Sequence, residues 1–182
     1  MPQEPATTLP FTRRDIAFDA DGITLRGWLY RPAGGADAPA PAPAIVMSGG
    51  YGTSKEMFVD RYAEKFAARG YLVVLYDQRG FGASDGRPRA EIDPWRQVED
   101  IRHALTYACG LAGVDAQRVG LWGSSYSGGH AIVAAAGDRR VRCVAAQVPT
   151  IGGGETARRR VGGAAERELL ARFAADRQGR AR

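Results

Sequence analysis

Apolar and polar positions along the chain fall into short blocks, and each block predicts one element. Residues 11–18 (FTRRDIAF) and 23–30 (ITLRGWLY) are rich in β-forming residues. Asp21-Gly22 between them is a strong turn signal, so a hairpin is expected. Residues 32–43 (PAGGADAPAPAP) read as a loop. The apolar run Ala44–Met47 leads into Ser48-Gly49-Gly50-Tyr51-Gly52. Residues 55–69 then predict an amphipathic helix, with Met57, Tyr62, Phe66 and Ala67 on one side and Gly70 closing it. Residues 71–76 (YLVVLY) are apolar on both faces, as in a central parallel strand. Pro94 behind Asp93 opens a helix over 94–109. Val119–Trp122 reads as a short strand, 127–136 as a helix of small residues, and Val141–Val148 as another buried strand. The tail from Thr156 to Arg180 predicts helix, with Leu169, Leu170 and Phe173 on its apolar side. A hairpin followed by alternating strands and helices is the α/β pattern with a mostly parallel sheet.

Composition changes this picture little. With 182 residues, 45% of them hydrophobic, the chain can bury one substantial core. The formal charge of +5 points toward nucleic acid only until it is located. Residues 1–154 hold 17 Lys+Arg against 16 Asp+Glu, and residues 155–182 hold 8 against 4. The excess therefore sits in the tail, around Arg158, Arg159 and Arg160, where no aromatics alternate with the arginines. A solvated helix face is expected, with no nucleic-acid partner. Cys109 and Cys143 make neither a disulfide framework nor a metal motif, and buried reduced thiols are expected. The opening MPQEPATTLP lacks a basic region followed by an apolar run, so it is not read as a signal peptide. No apolar stretch approaches the roughly 18 residues that span a bilayer. The expectation is a cytoplasmic protein with no membrane partner. Gly80-Phe81-Gly82 resembles the start of a dinucleotide fingerprint, but Asp85 stands where the third glycine belongs. With no P-loop and no metal-ligand cluster, no cofactor is expected.

The candidate chemistry lies in Val119–His130, VGLWGSSYSGGH. A sharp strand-to-helix turn needs small residues around its apex, and G-x-S-x-G supplies them while lifting the serine hydroxyl above the sheet. Two frames compete, one centred on Ser125 and one on Ser127. The strand ends directly before Gly123, which puts Ser125 at the apex and Ser127 in the first helical turn. Taken alone, the stretch also reads as an unreactive helix cap.

Four segments change that balance: the strand into SGGYGTSKEM, YDQRGFGASDG, VDAQRVGLWGSSYSGG and VAAQVPT, in this order. On these the chain resembles the α/β-hydrolase superfamily from about residue 11 to about 175. It looks most like serine hydrolases related to dienelactone hydrolase and to the X-prolyl dipeptidyl peptidase catalytic domain. The resemblance implies an α/β-hydrolase core over 1–150 and the start of a cap or helical segment over 151–182. It implies Ser125 as nucleophile and the Tyr126 N–H as one oxyanion donor. The second donor belongs to the loop after the third strand, where Gly49 replaces a frequent histidine. There Tyr51 contributes its N–H by position, with its phenol as an alternative donor. Asp77, Arg79, Gly80, Gly82 and Asp85 become scaffold that ties a loop beside the site.

A serine hydroxyl needs a base, and the base needs an orienting acid. The superfamily order is Ser, then acid, then His. His103 precedes the serine, in mid-helix, and is read as a surface or packing residue paired with Glu99. His130 lies in the helix that leads away from the apex. The resemblance therefore implies that the last strands, the triad acid and the histidine are missing. A fragment, a truncated gene product or a deliberately shortened chain is expected. The leading expectation is a serine hydrolase-type protein acting on small-molecule esters, thioesters or amides, incomplete as given. The alternative is a non-catalytic α/β-hydrolase-like protein that binds a small ligand or partner. Association of copies through an exposed sheet edge is also expected.

Overall fold

The computed structural model describes residues 10–33 and 40–180, apart from the side chains of 156, 157 and 160. The first nine residues, read above as no signal peptide, and 34–39 of the expected loop lie outside the described residues. Contacts divide the chain into two compact units, Met1–Pro149 and Thr150–Arg182.

In the first unit, β1 (Phe11–Ala20) and β2 (Ile23–Pro32) form the expected antiparallel hairpin. Both turn residues take positive φ, 54° at Asp21 and 78° at Gly22, the backbone that a two-residue hairpin needs. β3 (Ala42–Ser48), β4 (Leu72–Tyr76), β5 (Val114–Ser124) and β6 (Val141–Gln147) complete a six-stranded sheet in the order β1-β2-β4-β3-β5-β6. β2 pairs antiparallel with β4, while β4, β3, β5 and β6 run parallel.

Helices cover the sheet from both sides. α2 (Pro94–Cys109) and α3 (Tyr126–Gly137) pack Ile101, Leu105, Ala131 and Ala134 against Val46, Val74 and Leu121. α1 (Val59–Ala67) packs Val59, Ala63 and Ala67 against Met47, Val73, Leu75 and Trp122 on the other face. β4 lies between these layers, so both its faces are apolar and every residue of it is buried. α2 starts as expected: the Asp93 carboxylate accepts from the Trp95 and Arg96 N–H groups, each at 3.1 Å.

Several expectations are corrected by packing. The helix read over 55–69 begins at Val59, because Phe58 takes a φ of 67° that no α-helix continues. Residues 55–58 instead form a loop anchored by Lys55. Met57 is therefore exposed and outside the helix, and Tyr62 is 39% exposed. Valine and alanine at Val59, Ala63 and Ala67 make the buried face, and small side chains let the helix approach the sheet.

The strand read as buried over Val141–Val148 is largely exposed, because β6 is the sheet edge. Cys143 is consequently exposed and Cys109 half-buried; both thiols are free, but neither is buried. α1 packs over β4 and β2, leaving an open groove of about 460 Å³ beside Ile45, Phe66, Gly120, Trp122, Cys143 and Ala145. The Glu99–His103 pairing also fails. Glu99 takes the Arg102 guanidinium at 2.7 Å, and His103 Nε2 lies 3.3 Å from Asp21 Oδ2.

In the second unit the tail is two helices, α4 (Gly153–Val161) and α5 (Ala164–Arg180), not one. Gly162 and Gly163 interrupt it, the latter at φ 72°. α5 buries no residue, and its expected apolar side leaves Leu170 and Phe173 exposed. Two exposed pairs lie one turn apart along it, Arg172 with Glu168 and Arg180 with Asp176. No helix among the described residues is long and apolar enough to cross a membrane.

Candidate active site

Register brings the candidate residues together. Ser48 pairs with Tyr76 and with Gly123, and Ser124 pairs with Gln147. The four parallel strands thus end level, and the segments that follow them meet at one edge of the sheet. Crevices outside the carboxyl ends of parallel strands are where α/β proteins bind ligands.

β5 ends at Ser124 and α3 begins at Tyr126, leaving one residue for the reversal. Ser125 makes it with φ 55° and ψ −116°. For a side-chain-bearing residue this backbone costs on the order of 1–3 kcal/mol, so its surroundings must impose it. The Ser125 N–H donates to the Gln147 carbonyl at 2.9 Å. Gly123 lets the first helical turn close, since a Cβ there would lie 2.3 Å from the Ser127 carbonyl oxygen. Ser127 is buried and does more than stand in for glycine. Its Oγ accepts from the Ser124 N–H at 3.0 Å and donates toward the Ser48 and Ser124 carbonyls at 2.9 and 3.0 Å. The hydroxyl thereby ties the end of β3 to the Ser125 turn.

The turn after β3 lies over Ser125. A Cβ on Gly50 would come within 3.2 Å of the Ser124 carbonyl oxygen and 3.4 Å of Ser125 Cβ, so a side chain here would press on the serine turn. The Thr53 N–H and hydroxyl both donate to the Gly50 carbonyl, at 3.4 and 3.3 Å. Neither the Tyr51 nor the Tyr126 N–H has an acceptor among the described residues. The Tyr51 ring is 68% exposed and meets the Tyr126 ring edge-on at 5.3 Å.

The loop after β4 is held by ion pairs. Asp77 is buried; its carboxylate accepts from the Lys55 N–H and Nζ, each at 2.7 Å, and from the Ala83 N–H at 2.9 Å. Burial opposes charge on Lys55, but its hydrogen bonds to Asp77 and Glu56 prevail and its pKa is raised. Gly82 fits because a Cβ would lie 2.2 Å from the Asp77 carboxylate. Arg79 grips Asp100 through two bonds of 2.8 and 2.5 Å, and Asp85 takes Arg26 at 2.7 Å. Burial raises the Asp100 pKa against the pull of Arg79. Sequence reasoning placed Asp77, Arg79 and Asp85 in the scaffold but missed Lys55, because the helix read over 55–69 gave it no partner.

His130 is buried, and neither ring nitrogen has a hydrogen-bond partner among the described residues. Its ring packs edge-on against Tyr126 at 4.5 Å. Burial lowers its pKa to about 4, so it is neutral near pH 7. It does not hydrogen-bond to Ser125. His103 is engaged with Asp21. No group of three or more His, Cys, Asp or Glu suited to a metal occurs among the described residues.

The X-Pro dipeptidyl-peptidase family (S15) matches residues 21–178. The chain belongs to this family. Among its relatives, the quorum-quenching protein AidA of Acinetobacter baumannii is 38% identical over 141 residues, 78% of this chain and 45% of AidA. A thiohydrolase of Aspergillus aculeatus is 42% identical over 131 residues, 72% of this chain and 39% of its own. The solved α/β hydrolase GrgF from Penicillium sp., a polyketide transferase, superposes with a TM-score of 0.72 at 34% identity. That superposition covers 92% of this chain and 55% of GrgF. The fold is therefore that of the α/β hydrolases. The chain spans about half the length of the curated relatives it matches.

Proposed function

We propose that this chain carries the nucleophile-bearing part of a serine acyl hydrolase. Ser125 attacks a small-molecule ester, thioester or amide, and the N–H groups of Tyr51 and Tyr126 receive the oxyanion. The observation that carries this reading is the strained backbone of Ser125 at the strand-to-helix turn, with Gly50 against it and two unengaged N–H groups beside it. Among the acyl bonds, the names thiohydrolase and polyketide transferase support a thioester. The relatives are about twice as long, and in the whole enzyme we infer that further chain brings the base that takes the Ser125 proton.

A cysteine at position 125 tests this without a base. A thiol has a pKa of about 8.5, so near that pH about half is already thiolate. In Ser125→Cys the thiolate attacks p-nitrophenyl acetate, the C–S bond forms, and p-nitrophenolate leaves with the electron pair of the broken C–O bond. We expect the acetyl thioester at residue 125 to form at least about tenfold faster than on free cysteine, since one donor alone is worth roughly 10²-fold or more. Acetylation no faster than that of free cysteine rejects the reading.

A further inference from the structure

Apart from the Ser127 hydroxyl's bond to the Ser48 carbonyl at the base of the turn, the two segments that carry the proposed donors are joined by rings. No hydrogen bond among the described residues links Gly49–Thr53 to Ser125 or α3. The Tyr51 and Tyr126 rings meet at 5.3 Å and 76°, and the Tyr126 and His130 rings at 4.5 Å and 67°. This column runs from an exposed tyrosine to an imidazole that is 6% exposed and has no hydrogen-bond partner among the described residues. A buried imidazole without partners destabilises a fold. A local choice that works against stability points to a role at a site. The turn it steadies holds three glycines, Gly49, Gly50 and Gly52, and has little stiffness of its own.

We propose that His130 is a positioning residue for the oxyanion site. It backs the Tyr126 ring, which bears on Tyr51, and the column holds two donors from separate segments at the spacing a tetrahedral oxyanion requires. This rests on the reading of Ser125 as nucleophile. Misplacing a group by about 1 Å costs on the order of 10²-fold, so a slack turn would lose much of the benefit of its donor.

The test compares two reactions of one thiol in the 182-residue chain carrying Ser125→Cys. Acetylation by p-nitrophenyl acetate passes through an oxyanion. Alkylation by iodoacetamide displaces iodide from a saturated carbon and forms none, so it does not sense the donors. Both are followed on the tryptic peptide Val119–Arg139, which contains neither Cys109 nor Cys143. The ratio of acetylation to alkylation is expected to fall about tenfold or more in His130→Leu and in Tyr51→Ala. Tyr51→Phe, which keeps the ring, is expected to restore what Tyr51→Ala loses.

An unchanged ratio in His130→Leu overturns the proposal. So does a Tyr51→Phe ratio as low as that of Tyr51→Ala, which would assign the effect to the phenol hydroxyl. If His130→Leu does not fold, Tyr126→Leu breaks the same column while keeping its N–H, and an unchanged ratio there is equally decisive. A Ser125→Cys chain whose ratio equals that of free cysteine defeats the nucleophile reading itself, and the positioning role falls with it. That outcome is distinct, because it appears before any ring is altered.

Discussion

Ser125 shows how a local pattern and a distant contact divide the work at one residue. Its small neighbours permit the φ of 55°, but the Gln147 carbonyl and the Ser127 hydroxyl, reaching across three strands, are what hold it. The frame centred on Ser125 was legible from the apolar run that stops before Gly123, although the strand itself runs from Val114 on to Ser124, longer than the expected Val119–Trp122. The hydroxyl of Ser127 was not, because nothing in the order of residues says that Ser48 lies against it. His130 carries a pH signature at this scale. Burial lowers its pKa from the ordinary 6.5 to about 4, so the unfolded chain protonates first as pH falls. The unfolded state then binds the extra proton, and stability declines between about pH 6.5 and pH 4 and levels off below. We expect His130→Leu to lack this component. Urea midpoints measured from pH 7 to pH 4 should move in favour of the variant as pH falls; parallel curves would show that His130 does not titrate this way.

Among the elements, the two loops beside the site are joined to each other by a buried ion pair. Lys55 and Asp77 join the segment after β3 to the segment after β4, with side chains 6% and 0% exposed. Removing Lys55 leaves the Asp77 carboxylate charged and buried, so Lys55→Met is expected to cost about 3–5 kcal/mol in urea unfolding, and Asp77→Asn less, since Glu56 still pairs with Lys55. The double variant Lys55→Met/Asp77→Leu should recover part of this, since no lone charge remains. A loss below about 1 kcal/mol for Lys55→Met would mean that water replaces the pair readily. The helix expected over 55–69 concealed this contact. Periodicity extended it one turn too far, where Lys55 is drawn to Asp77 and Phe58 adopts positive φ.

For the whole molecule, the decisive feature is the position of β6. Among the described residues it pairs only with β5, and the face beside it opens into the groove at Trp122, Cys143 and Ala145. Arg142 is its only charged residue. Unpaired strand edges recruit other chains. We expect this 182-residue chain to self-associate in a concentration-dependent way, less so in Ala145→Lys. Light scattering that shows one monomeric mass at all concentrations would exclude this. The sequence alone determined the hairpin, the buried central strand β4 and the capped start of α2, because these are set by residues close in the chain. It also located the strand-to-helix turn at Ser125, whose small residues and preceding strand are contiguous. Only the tertiary structure decided which strand is the edge, which thiol is exposed and which rings meet. Those depend on strand order and on helix coverage of each face, which join residues far apart in the chain and leave no local trace.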